Sequence, residues 1–169
     1  MKSNRVVSQE EGFAARTGAA AEAAERVLVI ERIFDAPREL VWKAWTEPEH
    51  LAQWWGPRGF TLPSCKVELR PGGAYRFHMR GPDGDDHWSQ GVFREVVAPE
   101  RIVMAGSWAD ADGNPTRPAS VTTVTLEDHD GKTRLTLRQV IFESVTARDA
   151  HRGGWSSSLE RLAEYLAAA

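Results

Sequence analysis

What most constrains this chain is the rhythm of its turn signals. Pro71-Gly72-Gly73, Gly81-Pro82-Asp83-Gly84, Ala98-Pro99-Glu100, Asp112-Gly113-Asn114-Pro115 and Asp130-Gly131 cut the stretch after Phe60 into segments near 60–70, 73–80, 87–97, 101–109, 119–128 and 133–142. Each segment has strand length, and each separator is too short for a crossover helix, so consecutive strands pair as antiparallel hairpins. Tyr75, Phe77 and Met79 alternate with Arg76, His78 and Arg80, and Leu135 and Leu137 alternate with Arg134 and Arg138. Such a sheet buries one face, and the spacing predicts that the arginine side of 75–80 meets water.

The flanks say what covers the buried face. Residues 26–34, RVLVIERIF, are apolar and β-branched and read as a first strand. Asp35-Ala36-Pro37 signals a helix start with Pro37 at the first helical position, and Leu40, Val41, Ala44 and Trp45 recur at helical spacing. Glu47-Pro48 closes that helix and opens a second, with Leu51, Trp54 and Trp55 on its apolar side, until Gly56-Pro57 ends it. The pair lacks a basic recognition face, so reading of DNA is excluded. At the far end, Thr146 and Asp149 have capping-box spacing, and Trp155, Leu159, Leu162 and Leu166 form one stripe. That stripe needs a concave partner. The order predicts an α+β helix-grip fold: a curved seven-stranded antiparallel sheet wrapped around a long C-terminal helix, two short helices after the first strand, and a cavity between helix and sheet.

Composition narrows the function. With 169 residues, residues 1–25 are expected to be a disordered tail and 26–169 one domain. A net charge of -3 gives no field to draw nucleic acid or anionic lipid. No apolar run reaches membrane-spanning length, and the start of the chain lacks a secretory h-region. The single cysteine, Cys65, fits a reducing, cytoplasmic setting and a structural role.

Phe34-Asp35-Ala36-Pro37 with Val41-Trp42, Trp45-Thr46-Glu47-Pro48-Glu49, Trp54-Trp55-Gly56-Pro57, Pro71-Gly72-Gly73, Gly81-Pro82-Asp83-Gly84, Pro99-Glu100-Arg101 and Gly154-Trp155 with Leu159 and Leu162 run in order through residues 27–166. In that order they resemble the START-like (SRPBCC) superfamily, and within it the branch similar to the C-terminal domain of the activator of heat-shock protein 90 ATPase. The resemblance implies a helix-grip fold with an internal ligand pocket and no single activity. The co-chaperone of that branch has a separate N-terminal domain that contacts the chaperone. Here 25 residues precede the first strand, so the resemblance implies ligand binding ahead of a chaperone partner or a stress-related role.

Seven tryptophans supply more aromatic bulk than a solvated surface tolerates. Five of them (Trp54, Trp55, Trp88, Trp108, Trp155) are spread over the fold and are candidates to point inward. The expected cavity lining is Trp54, Trp55, Phe60, Tyr75, Phe77, Met79, Phe93, Met104, Trp108, Gln139, Trp155 and Leu159. A lipid-like, apolar or aromatic small molecule is the expected ligand, and no cofactor is implied.

Catalytic chemistry in the same cavity, such as cyclisation, hydrolysis or isomerisation, would need a convergent polar group. The candidates are His151, four residues before Trp155; Gln139, which continues the inward alternation of Leu135 and Leu137; and Glu95, which shares parity with Phe93 unless a bulge turns it out. His50, His78, His87, His129 and His151 show no metal-ligand spacing, and no glycine-rich phosphate loop is present. A monomer and a small homodimer are both open.

Overall fold

The structure, a computed structural model, describes residues 26–140, 142 and 144–168; the tail expected over 1–25 lies outside them. The elements are β1 (Leu28–Phe34), α1 (Arg38–Thr46), α2 (Pro48–Trp54), β2 (Thr61–Val67), β3 (Ala74–Arg80), β4 (Asp86–Val97), β5 (Arg101–Ala109), β6 (Ser120–His129), β7 (Lys132–Val140) and α3 (Val145–Ala168). All seven strands form one antiparallel sheet in the order β1-β7-β6-β5-β4-β3-β2. Only β1 leaves sequence order, because α1 and α2 carry the chain from one edge of the curled sheet to the other.

Local chemistry explains the joints. The Pro37 carbonyl accepts from the Leu40 and Val41 amides, so Pro37 caps α1 from one position earlier than its spacing implied. Pro48 stands at the start of α2, where its missing N–H costs nothing. Asp130 and Gly131, both at positive φ, make the tight turn between β6 and β7. The cap of α3 differs from the expected Thr146–Asp149 box: Ser144 Oγ accepts from the Ala147 amide at 3.1 Å, and Asp149 pairs with Arg148 instead. Ser144 is two residues nearer the strand, so the helix begins at Val145.

The core lies between the inner face of the sheet and the three helices. Leu28, Ile30, Phe77, Val124, Leu126, Leu135 and Leu137 from the strands meet Val41, Trp45, Leu51, Trp54, Leu159 and Leu162 from the helices in one continuous cluster. The coverage is uneven. The buried residues of α3 are Ser158, Leu159, Leu162 and Leu166, all in its C-terminal half. The axis of α3 runs closest to β1 and α2. Each fully buried leucine stabilises the packing by roughly 1.5–3 kcal/mol, whereas Gly153 and Gly154 each weaken the helix by about 1 kcal/mol relative to alanine. The leucine half of α3 therefore holds the helix to the bowl by burial, and the glycine half has no fully buried side chain.

Among the described residues no helix is long and apolar enough to cross a membrane.

Candidate functional site

All the residues expected to line a cavity lie on the inner side of the sheet or face it. Trp54, Trp55, Tyr75, Phe77, Met79, Phe93, Met104 and Leu159 belong to the buried cluster, with Phe60, Trp108 and Trp155 packed against it and Gln139 buried beside it. Trp45 joins them: its ring lies 4.9 Å from Trp54, 5.7 Å from Trp55 and 5.9 Å from Trp155, the last pair nearly parallel. From Trp55 the aromatic contacts continue to Phe77 at 4.6 Å, then Tyr75 at 5.4 Å and Phe93 at 5.5 Å. Aromatic pairs of this kind, edge-to-face or offset-stacked, add about 0.5–1.5 kcal/mol each beyond burial. Trp54 Nε1–H donates to the Ala44 carbonyl at 2.9 Å, but the buried Trp45 Nε1–H finds no partner among the described residues.

Toward the N-terminal half of α3 the packing thins. On β4, β5 and β6 the inner-facing Ser89, Gly91, Gly106, Trp108 and Ser120 are half-buried, while Phe93, Met104, Thr122 and Val124 on the same strands are buried. At the rim of that thinner region is a pocket of about 460 Å³, bounded by His87, Trp88, Trp108, Asp86, Asp110 and Arg117. Trp108 therefore faces both the inner space and the rim. His87 sits beside it, with ring centroids 6.4 Å apart, and bonds to Asp85 at 2.6 Å.

Two polar tethers tie α3 across this region. Trp155 Nε1–H donates to Gln139 Oε1 at 2.9 Å, and Gln139 Nε2–H donates to Ser120 Oγ at 3.1 Å. Trp108 Nε1–H donates to His151 Nε2 at 3.1 Å. Because that nitrogen accepts, the His151 proton is on Nδ1, which donates to the Ala147 carbonyl at 2.8 Å. Both ring nitrogens of His151 are thus engaged, and so is the carbonyl oxygen of Gln139.

Two expectations need correction. Glu95 is turned outward by a bulge between Phe93 and Glu95, where β4 slips one residue against β5, and it pairs with Arg101 at 3.3 Å. Trp88 also points to the outer face, stacked on His78 at 4.8 Å with the Arg76 guanidinium above its ring. That tryptophan partly covers Arg76 and His78, which are half-buried rather than fully wet, and both are further held by Gln90 and Asp86 respectively. The hydrogen bond from His78 and a second from Arg80 hold the Asp86 carboxyl below its usual range.

Sequence reasoning also missed three groups. Ser120 shares parity with Thr122 and Val124, but its place beside Gln139 depends on the β6–β7 register. The facing glycines Gly91 and Gly106 appear in the sequence only as interruptions of two strands. Arg161 reaches across to the loop after α2, donating to the carbonyls of Gly56 at 2.8 Å and Pro57 at 3.2 Å, and at longer range to those of Trp55 and Phe60. Burial lowers its pKa, with the nearby Arg58 charge adding to the effect. Arg58 itself is bound to Glu164.

Among the described residues no three His, Cys, Asp or Glu side chains are grouped to hold a metal ion. Burial pushes the Cys65 thiol up to about 12, so the thiolate needed for nucleophilic chemistry is scarce near neutral pH.

The model of the family described as Activator of Hsp90 ATPase homolog 1-like protein matches residues 35–167. No curated protein matches the chain. Among solved structures, a protein of Nitrosomonas europaea is 29% identical with a TM-score of 0.72, over 85% of this chain and 95% of that one. A protein of Chromobacterium violaceum is 29% identical with a TM-score of 0.75, over 83% and 96%. The AHSA1 protein of Silicibacter pomeroyi is 26% identical with a TM-score of 0.76, over 83% and 97%.

Proposed function

This chain belongs to the Activator of Hsp90 ATPase homolog 1-like family, and on that premise we propose that it is a small-molecule binding protein whose ligand enters between the N-terminal half of α3 and strands β4–β6. The observation that carries the reading is the half-buried inner surface around Gly91, Gly106 and Trp108, with a separate open pocket on the rim side of Trp108. The inner face is aromatic with neutral polar groups at Ser89, Ser120 and Gln139, while charge is confined to the rim at Asp86, Asp110 and Arg117, so the enclosed part of the ligand is mainly apolar, with an aromatic or lipid-like body. Entry needs the N-terminal half of α3 to shift; that half has no fully buried side chain, and the contact to be released is the His151–Trp108 hydrogen bond.

A catalytic role is less well supported. Glu95 faces solvent, and both His151 nitrogens are spent on Trp108 and Ala147. No nucleophile–base pair converges on the open inner surface among the described residues.

The test is a thermal-shift screen of the full chain against aromatic and lipid-like molecules, followed by native mass spectrometry of the hits. A ligand at a hundred times its Kd stabilises by about 2.7 kcal/mol. At about 3 °C per kcal/mol for a chain of this size, the midpoint rises by roughly 8 °C. One-to-one complexes are expected, with the shift reduced in Trp108→Ala. A screen without stoichiometric binding refutes the reading.

A further inference from the structure

The register places Tyr75, Gly91, Gly106 and Ser120 side by side on β3, β4, β5 and β6, in one row across the inner face. The two glycines are not interchangeable with other residues. A Cβ on Gly106 would stand 2.2 Å from the Tyr75 hydroxyl oxygen and 2.1 Å from the Gln90 carbonyl; one on Gly91 would stand 2.7 Å from the same hydroxyl and 2.1 Å from the Ala105 carbonyl. The Tyr75 phenol therefore lies along a floor without side chains, with its oxygen over the glycine pair.

That hydroxyl is conspicuous. Tyr75 is 8% exposed and its hydroxyl makes no hydrogen bond to the described residues, yet its oxygen is not among the fully enclosed unpartnered atoms, which belong to Arg38, Trp45 and Arg134, so it borders open space. A hydroxyl so placed is free to donate to whatever occupies that space. Burial pushes its pKa up to about 12, so near neutral pH it is a donor with nothing to donate to. At the other end of the row, Ser120 Oγ accepts from Gln139, which leaves its own O–H free, and Gln139 Nε2 has a second N–H beyond the one used. Three donors thus lie in this row and beside it, Gln139 being opposite Thr122, and no side chain of the row carries a charge.

Resting on the ligand-binding reading above, we infer that Tyr75, Ser120 and Gln139 over the Gly91–Gly106 floor form the polar subsite of the internal site, and that it takes a neutral carbonyl oxygen: a ketone, aldehyde, ester or amide on an apolar body. The donors match an acceptor and would leave a ligand hydroxyl hydrogen without a partner. A carboxylate meets no cation in the row to offset its desolvation, so the neutral carbonyl is the favoured class.

The experiment is isothermal titration calorimetry on the full chain with matched probes. These are acetophenone and 2-acetylnaphthalene, their ethyl counterparts ethylbenzene and 2-ethylnaphthalene, and 2-naphthoate. In the wild type at least one ketone should bind tenfold or more tightly than its ethyl counterpart, and the carboxylate tenfold more weakly than the ketone. Tyr75→Phe should bring the ketone to within threefold of the hydrocarbon and change the hydrocarbon affinity by less than twofold. It should melt no lower than the wild type, because the deleted hydroxyl has no partner to lose. If ketone and hydrocarbon bind equally well to the wild type, or the ketone preference survives in Tyr75→Phe, the polar subsite is wrong while the ligand-binding reading stands. A carboxylate that binds more tightly than the ketone overturns the choice of a neutral carbonyl. If none of the probes binds, and the thermal-shift screen also finds nothing, both readings fall.

Discussion

Arg161 gives the sharpest stability test, because the structure assigns it work that its place off the leucine stripe conceals. Its guanidinium gathers carbonyls at the end of α2 and in the loop that follows, and these have no helical partner left. Two contacts are of good length, 2.8 Å to Gly56 and 3.2 Å to Pro57, while those to Trp55 and Gln53 are both at 3.4 Å and weak. A bond from a charged donor contributes about 1.5–3 kcal/mol when buried. Arg161 is only partly buried, so water recovers part of that, and removing its charge relieves the repulsion from Arg58. The net loss for Arg161→Met, which keeps the stem and removes the head, comes to about 2–3 kcal/mol. At about 3 °C per kcal/mol, the midpoint falls by roughly 6–9 °C. Arg161→Lys should recover less than half of that, because an ammonium is a point donor and cannot fan across several carbonyls. The assay is thermal unfolding followed by tryptophan fluorescence, which also reports on Trp55 at the head of the loop. A fall of less than 2 °C in Arg161→Met, or full rescue by lysine, would refute the clamp.

Two more outcomes follow from burial. Cys65 should resist iodoacetamide at pH 8 in the native protein and react at an ordinary rate once unfolded in urea, with mass spectrometry reading the adduct; rapid native labelling would contradict a thiol held near 12. In Tyr165→Phe, which leaves Tyr75 as the remaining tyrosine, absorbance at the tyrosinate band should titrate about two units above an ordinary phenol. The folded phenol holds its proton more tightly than the unfolded one, so its contribution to stability is whole below pH 10 and declines between pH 10 and 12. A midpoint near pH 10 in the folded protein would remove the desolvation argument.

Much of the architecture is legible because it rests on short-range chemistry. Asp130-Gly131 turns the chain as the dipeptide should, and Leu159, Leu162 and Leu166 are buried at the spacing that marks them. Trp88 could also have been placed by counting, since it has the opposite parity to Phe93 and so leaves the inner face. Glu95 could not be placed by counting, because parity holds only while the register does, and one extra residue at the bulge reverses it. Arg161 and Ser120 belong to a different class. Their partners lie about 100 residues away in one case and on a neighbouring strand in the other, so their roles appear only once the sheet register and helix placement are known.

The same limit explains why the aromatic residues did not by themselves point to the site. Burial and recognition both favour large flat side chains on the inner face, so a tryptophan such as Trp54, fully buried with its N–H satisfied, looks in the sequence like Trp108, which borders open space. What separates them is the residue they stand beside. Trp54 packs against Trp45 and Trp55, whereas Trp108 lies on the strand of Gly106, opposite Ser89. The facing strand's carbonyls and the Tyr75 hydroxyl leave no room for a side chain at Gly91 or Gly106, so this stretch adds no side-chain burial of its own. Ser89, Gly91, Gly106 and Ser120 mark the part of the inner face with the fewest buried side chains, and it is there that the proposed ligand would supply contacts.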